Sequence, residues 1–238
     1  GTNACLIINF DKSFSLHSKS TLLAKFDKNG NTIESNSDNA GFVHEMSKRM
    51  PMLIKLVEEI QRILDSENSL KYPVKVAGEW CGKGIQKGVG ISQVEQKQWF
   101  IFGVKSGSVW FNTDDYCYLE RKGSGILFSN NYATYSVAVD VNFPEKAAEI
   151  LEKLTYEVEE ECPVSKQLGV TGTLVGEGIV WRPVSKELAQ HTETWFKTKG
   201  QKHSTSKVKK VASANPEKLA NILDFVEYSV TPNRLNQG

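Results

Sequence analysis

The sequence has no C-x-x-C pair, and its four cysteines (Cys5, Cys81, Cys117 and Cys162) stand far apart and away from its four histidines. Zinc sites and disulfide frameworks need clustered ligands or paired thiols, so neither is expected, and reduced thiols of a cytoplasmic protein remain. Long apolar runs are also missing, which excludes a membrane-spanning helix of ordinary length. No charged-then-apolar segment opens the chain, so no secretory leader is read there. Excess charge of one sign is lacking too, because 29 Lys+Arg against 28 Asp+Glu leave a net +1. A nucleic-acid binder of this composition must carry its positive potential in a local patch. The chain has no initiator methionine and enters the apolar run Ala4–Ile8 after Gly1-Thr2-Asn3. Its natural start is therefore expected upstream.

What is present suits a globular fold. The 238 residues, 39% hydrophobic and 24% charged, can bury the core of one large domain. Residues 4–10 and 13–24 read as a hairpin joined near Asp11-Lys12, with a second turn at Asp27-Lys28-Asn29-Gly30 and a polar loop over 35–39. Apolar positions from Phe42 to Leu64 recur at helical spacing, and Pro51 inside the pattern predicts a kink or two abutting helices. Strands are expected at 73–79, 98–105 and 108–112, with further short ones at 116–121 and 125–128. A helix follows over 144–160, then strands at 177–182 and 194–199 and a helix over 216–227. Strands interrupted by helices indicate an α+β fold.

Four segments carry candidate chemistry. Gly78-Glu79-Trp80-Cys81-Gly82 sets a carboxylate between glycines that allow close approach. Gly176-Glu177-Gly178-Ile179-Val180-Trp181 repeats that arrangement. Trp99-Phe100-Ile101-Phe102 is an aromatic strand, a pattern more often core than ligand platform. In Trp195-Phe196-Lys197-Thr198-Lys199 the two lysines share one face of a strand, which suits clamping an anion. The basic run continues through Lys202, His203, Lys207, Lys209 and Lys210. Such a run is ordinarily a solvated face, but the interleaved aromatics equally suit a phosphate-binding edge. Each segment alone reads as readily as an ordinary turn, strand or surface.

Their order and spacing resemble the covalent nucleotidyltransferase superfamily of ATP-dependent ligases and capping enzymes, most closely the RNA ligases of the RNA ligase 2 type. In those RNA ligases the first motif often reads Lys-x-x-Gly-Thr-Asn, and Gly1-Thr2-Asn3 is similar to its end. Gly78-Glu79 resembles motif III, Trp99–Val104 motif IIIa, Glu177–Val180 motif IV and Lys197-Thr198-Lys199 motif V. The resemblance implies an antiparallel-sheet nucleotidyltransferase domain of the ATP-grasp-like DNA ligase/mRNA capping enzyme type over 1–228. Residues 229–238 would then lead towards a C-terminal domain. It also implies an attacking lysine three residues before Gly1, outside the sequence.

The implied roles follow from chemistry. Lys197 and Lys199 would depress the pKa of the attacking lysine and stabilise charge on the transferring phosphate. By the same resemblance Glu79 accepts a ribose hydroxyl, and Trp99 stacks on adenine, with Phe100 or Phe102 in its place if the strand phase differs by one. Glu177 is the expected Mg²⁺ ligand. Gly1, Thr2 and Asn3 belong to the ATP-binding set, and Lys19 falls where a basic residue contacts phosphate. The partners implied are ATP and RNA ends bearing a 5′-phosphate and a 3′-OH, handled by a monomer. Three positions depart from the family: Gly103 where an acid is frequent, Lys19 for arginine, and Arg182 for lysine. A DNA ligase, a capping-type enzyme and a non-catalytic nucleic-acid-binding module on a degenerate ligase fold are the alternatives. The residue three before Gly1 discriminates the last of these. Lys25-Phe26-Asp27 offers an in-chain nucleophile, but its glycine comes late and it reads better as a hairpin turn.

Overall fold

The computed structural model describes residues 1–140 and 142–203. The helix expected over 216–227, the lead-in at 229–238 and the domain boundary between them lie outside the described residues. The framework is an 8-stranded sheet in the order β4-β3-β2-β1-β5-β6-β7, with β8 on β6. Its strands are β1 (Thr2–Ile8), β2 (Phe14–His17), β3 (Leu22–Phe26), β4 (Thr32–Ser35), β5 (Val74–Cys81), β6 (Gln98–Ser106), β7 (Val109–Phe111) and β8 (Ile126–Phe128). All neighbours are antiparallel except the β6–β8 pair.

One face of this sheet is covered by α1 (Phe42–Lys48) and α2 (Met50–Ser66). The helical run predicted over 42–65 divides at Arg49, and Pro51 takes the first turn of α2, where its missing N–H costs nothing. Asp38 caps α1 through the amides of Val43 (2.8 Å) and His44 (3.1 Å). Leu53, Leu56, Val57, Ile60 and Leu64 form the buried stripe of α2. Each such side chain contributes about 1.5–3 kcal/mol of burial. They meet Ala4, Leu6, Ile8, Val74, Val76, Trp80, Trp99 and Ile101 from the sheet.

Two expectations are corrected in this frame, and a third is met. The strand predicted over 13–24 is two strands, because Ser18-Lys19-Ser20 forms a turn closed by the Ser18 amide on the Thr21 carbonyl (3.0 Å). Residues 113–119 are 3₁₀-helical rather than extended, and Tyr116 and Leu119, three apart, point inward together. A short strand, β4, follows the Asp27–Gly30 turn, so Lys25-Phe26-Asp27 enters a hairpin, as its late glycine suggested.

A second layer follows. Helix α3 (Pro144–Glu160) and the short α4 (Pro163–Gln167) lead to a two-stranded sheet of β9 (Gly178–Trp181) and β10 (Phe196–Lys199), with α5 (Lys186–Ala189) between them. Thr198 faces α3, its hydroxyl bonded to Thr155 (2.6 Å) and to the Trp181 indole (2.9 Å). Arg182 ties the layers together. Its guanidinium donates to the Phe102 carbonyl (3.0 Å) and to the Asn112 (2.5 Å) and Asn130 (3.0 Å) side-chain oxygens. No helix among the described residues is long and apolar enough to cross a membrane.

Candidate active site

The helices cover one face of the main sheet, and the site lies on the other. Strand alternation assigns β5 residues Lys75, Ala77, Glu79 and Cys81 to that second face, since Val74, Val76 and Trp80 enter the core. Register then carries the face sideways. Asn3 of β1 and Phe100 of β6 both stand opposite Glu79. Gly1 lies beyond Asn3, and its nitrogen is 3.7 Å from the Glu79 carboxylate. A Cβ at Gly1 would lie 2.4 Å from Oε1 of that carboxylate, so a larger residue would displace the Glu79 side chain.

The second layer brings the other groups. Lys197 of β10 pairs with Glu177 at 3.0 Å. Gln86, in the loop between β5 and β6, donates its amide to Glu177 and accepts from the Gly1 nitrogen. Glu79 and Glu177 are thus connected through Gly1 and Gln86. Gln86 was not singled out in the sequence, because the loop Gly82-Lys83-Gly84-Ile85-Gln86-Lys87-Gly88 has no periodicity to show which residue turns inward.

The two carboxylates differ in their electrostatics. Burial raises the Glu79 pKa above the ordinary glutamate value, the Lys197 charge opposes it, and Glu177 adds to it. Its side chain is 43% exposed, so solvent moderates the effect. Burial also acts upward on Glu177, but the hydrogen bonds from Gln86 and Lys197 and the Lys197 charge outweigh it and hold the carboxyl at about 2. Glu177 is therefore an ionised acceptor at any neutral pH. Burial pushes the Cys81 thiol up to about 12, which leaves it inert as a nucleophile.

Several expected positions are corrected. Trp99 is fully buried in the core and its indole donates to the Ala4 carbonyl at 3.0 Å, so it cannot stack on a ligand above the sheet. Phe100, one residue on, holds the place opposite Glu79. Phe102 falls at the irregularity where β5 and β6 shift register. Thr2 stands opposite core-facing Trp80, and its hydroxyl accepts from Asn39 (3.3 Å), away from the Glu79 face. Lys19 is exposed in the turn after β2 and joins no ion pair among the described residues. The basic group that β2 does present on this face is His17, opposite Cys5. Lys199 shares the Lys197 face by alternation but makes none of the Glu177 or Glu79 contacts. Lys25 lies on the same face of the sheet as Glu79 but in the row of Ile7, four residues along β1 from Asn3.

A model of the RNA ligase family matches residues 1–199, the span over which these groups converge. The chain belongs to the RNA ligase family. Among curated proteins no sequence matches it. Membership agrees with the motif order, and every strand that contributes a residue to this cluster falls inside the matched span.

Proposed function

We propose that this chain carries the nucleotidyltransferase part of an ATP-dependent RNA ligase working through a lysine–AMP intermediate. The observation supporting it is the convergence of Gly1, Asn3, Glu79, Glu177 and Lys197 at one end of β1, β5 and β10. The attacking lysine is the one that precedes Gly-Thr-Asn by three residues in the family motif. Its neutral amine attacks the α-phosphorus, an N–P bond forms, and the bond to pyrophosphate breaks. AMP then passes to an RNA 5′-phosphate, and attack by a 3′-OH closes the phosphodiester and releases AMP.

The chain's residues divide the work. Phe100, on the Glu79 face but only 9% exposed with Tyr132 packed against it, is the aromatic side chain assigned to the base, and Glu79 accepts a ribose hydroxyl. Lys197, balanced by Glu177 in the resting site, exchanges that partner for phosphate oxygens. There it offsets charge developing in the transition state. With Lys199 on the same face it also favours the neutral form of the attacking amine. Among the described residues no group of three or more His, Cys, Asp or Glu is placed to hold a metal. Mg²⁺ does not need such a cage, because it keeps its waters and binds through one or two carboxylates plus phosphates. Glu177, ionised and beside Glu79, fits that donor set. The ion would supply neutralisation of phosphate charge.

Incubating the full-length protein with radiolabelled ATP and mapping the labelled peptide tests the reading. Label is expected on the lysine ahead of Gly1. Glu177→Gln and Lys197→Met are expected to lower it about 100-fold or more, with unchanged circular dichroism. Normal labelling of either variant would remove that residue from the chemistry, and label on Lys25 would relocate the nucleophile. An unlabelled wild-type protein would leave a binding module.

A further inference from the structure

Two rows below Glu79 on the same face, the registers align a line of side chains across six strands. Lys25 stands opposite Ser15, Ser15 opposite Ile7, Ile7 opposite Lys75, Lys75 opposite Lys105, and Lys105 opposite Trp110. At about 4.8 Å per strand, Lys25 to Lys105 spans about 19 Å, and at about 3.3 Å per residue the row lies about 13 Å from Glu79.

Lys75 and Lys105 are directly opposed, an arrangement that destabilises an antiparallel pair when the charges are alike. Among the described residues neither joins an ion pair. Lys105 lies 5.7 Å over the Trp110 ring, and the Lys75 charge acts on Cys5 and His17, in the direction of the Glu79 row. All three lysines remain partly exposed. At the far end Glu34 stands opposite Lys25 and Asp11 is near it. Between this row and the pocket lie His17, Cys5 and Ala77, the last two small and buried.

We propose that the Lys25–Lys75–Lys105 row is a track for the phosphodiester backbone of the RNA strand, leading its end to the Glu79–Glu177 pocket. The row is too long for one triphosphate and matches a polyanion with repeated charges. An external polyanion also offsets the opposed lysines that no acid within the described residues neutralises. The identity of the polyanion as RNA rests on the ligase reading above.

The experiment uses the full-length protein and a 5′-phosphorylated single-stranded RNA. Lys75→Gln/Lys105→Gln is expected to weaken RNA binding about tenfold or more and to flatten the plot of log affinity against log salt by about 1.4, near 0.7 per lost phosphate contact. Lys75→Arg/Lys105→Arg keeps the charge and retains binding. Enzyme–AMP formation from ATP stays at the wild-type level in both. Unchanged affinity and salt slope in the glutamine variant would overturn the track. So would a fall in labelling by ATP with RNA binding intact, which would give the row to the nucleotide. Acylation of wild-type lysines, read by mass spectrometry, needs no variant: RNA is expected to protect Lys75 and Lys105, and equal labelling with and without RNA refutes the proposal. A wild-type protein that binds RNA through these lysines yet forms no enzyme–AMP would sink the ligation mechanism and leave the track standing.

Discussion

Along β6, Trp99 turns its indole under the sheet to Ala4, whereas Phe100 shares a face with Glu79 and meets Tyr132 edge-on at 5.1 Å. Equivalent substitutions at these adjacent positions therefore test different things. Trp99→Ala is expected to cost about 3–5 kcal/mol in urea denaturation, because it empties a fully enclosed site. Phe100→Leu keeps most of the apolar volume and is expected to cost less than about 1.5 kcal/mol. It removes the aromatic surface, so ATP binding measured by calorimetry should weaken about tenfold. If Phe100→Leu bound ATP normally while Trp99→Ala folded stably and lost it, the assignment of the two rings would be reversed. The phase could not be read from the sequence, since Trp99-Phe100-Ile101-Phe102 is apolar on both faces and shows no alternation. Pairing with β5 decides it, and that is a tertiary fact.

Elements with a strong period were legible: β1, the helical run from Phe42 to Leu64, α3, and the lysine-bearing β10. Elements that depend on distant partners were not. The turn at Ser18–Thr21 breaks a run that is apolar enough to read as one strand, and β4 exists only because β3 offers it an edge. At the junction of β9 and β10 the local signal was a glycine beside Glu177, and the structure gives its reason. Gly178 has φ +145, and a Cβ there would lie 1.9 Å from the Thr198 carbonyl oxygen. Alanine must push the two strands apart and with them Lys197 from Glu177. Gly178→Ala is expected to reduce enzyme–AMP formation about 100-fold, the scale of a misplacement of about 1 Å. Far-ultraviolet circular dichroism should stay unchanged. Full activity in this variant would show that the strand pair does not set the geometry of the two charges.

At the scale of the whole molecule, the site depends on two layers held in register, and Arg182 bonds them through three oxygens of the main-sheet layer. A lysine there keeps the charge but loses the planar fork. Arg182→Lys is expected to speed amide hydrogen exchange in β9 and β10 while leaving β1 and β5 protected, and to lower ligation about tenfold. Equal exchange in both layers would mean that the second layer is held elsewhere, through α3. The main sheet itself divides its obligations by face. On β5, Val74, Val76 and Trp80 must satisfy the helices beneath, while Lys75, Ala77 and Glu79 meet only what arrives from above. Adjacent residues of one strand therefore carry separate duties, and a substitution at an upper position can alter what that face meets without disturbing the packing beneath it.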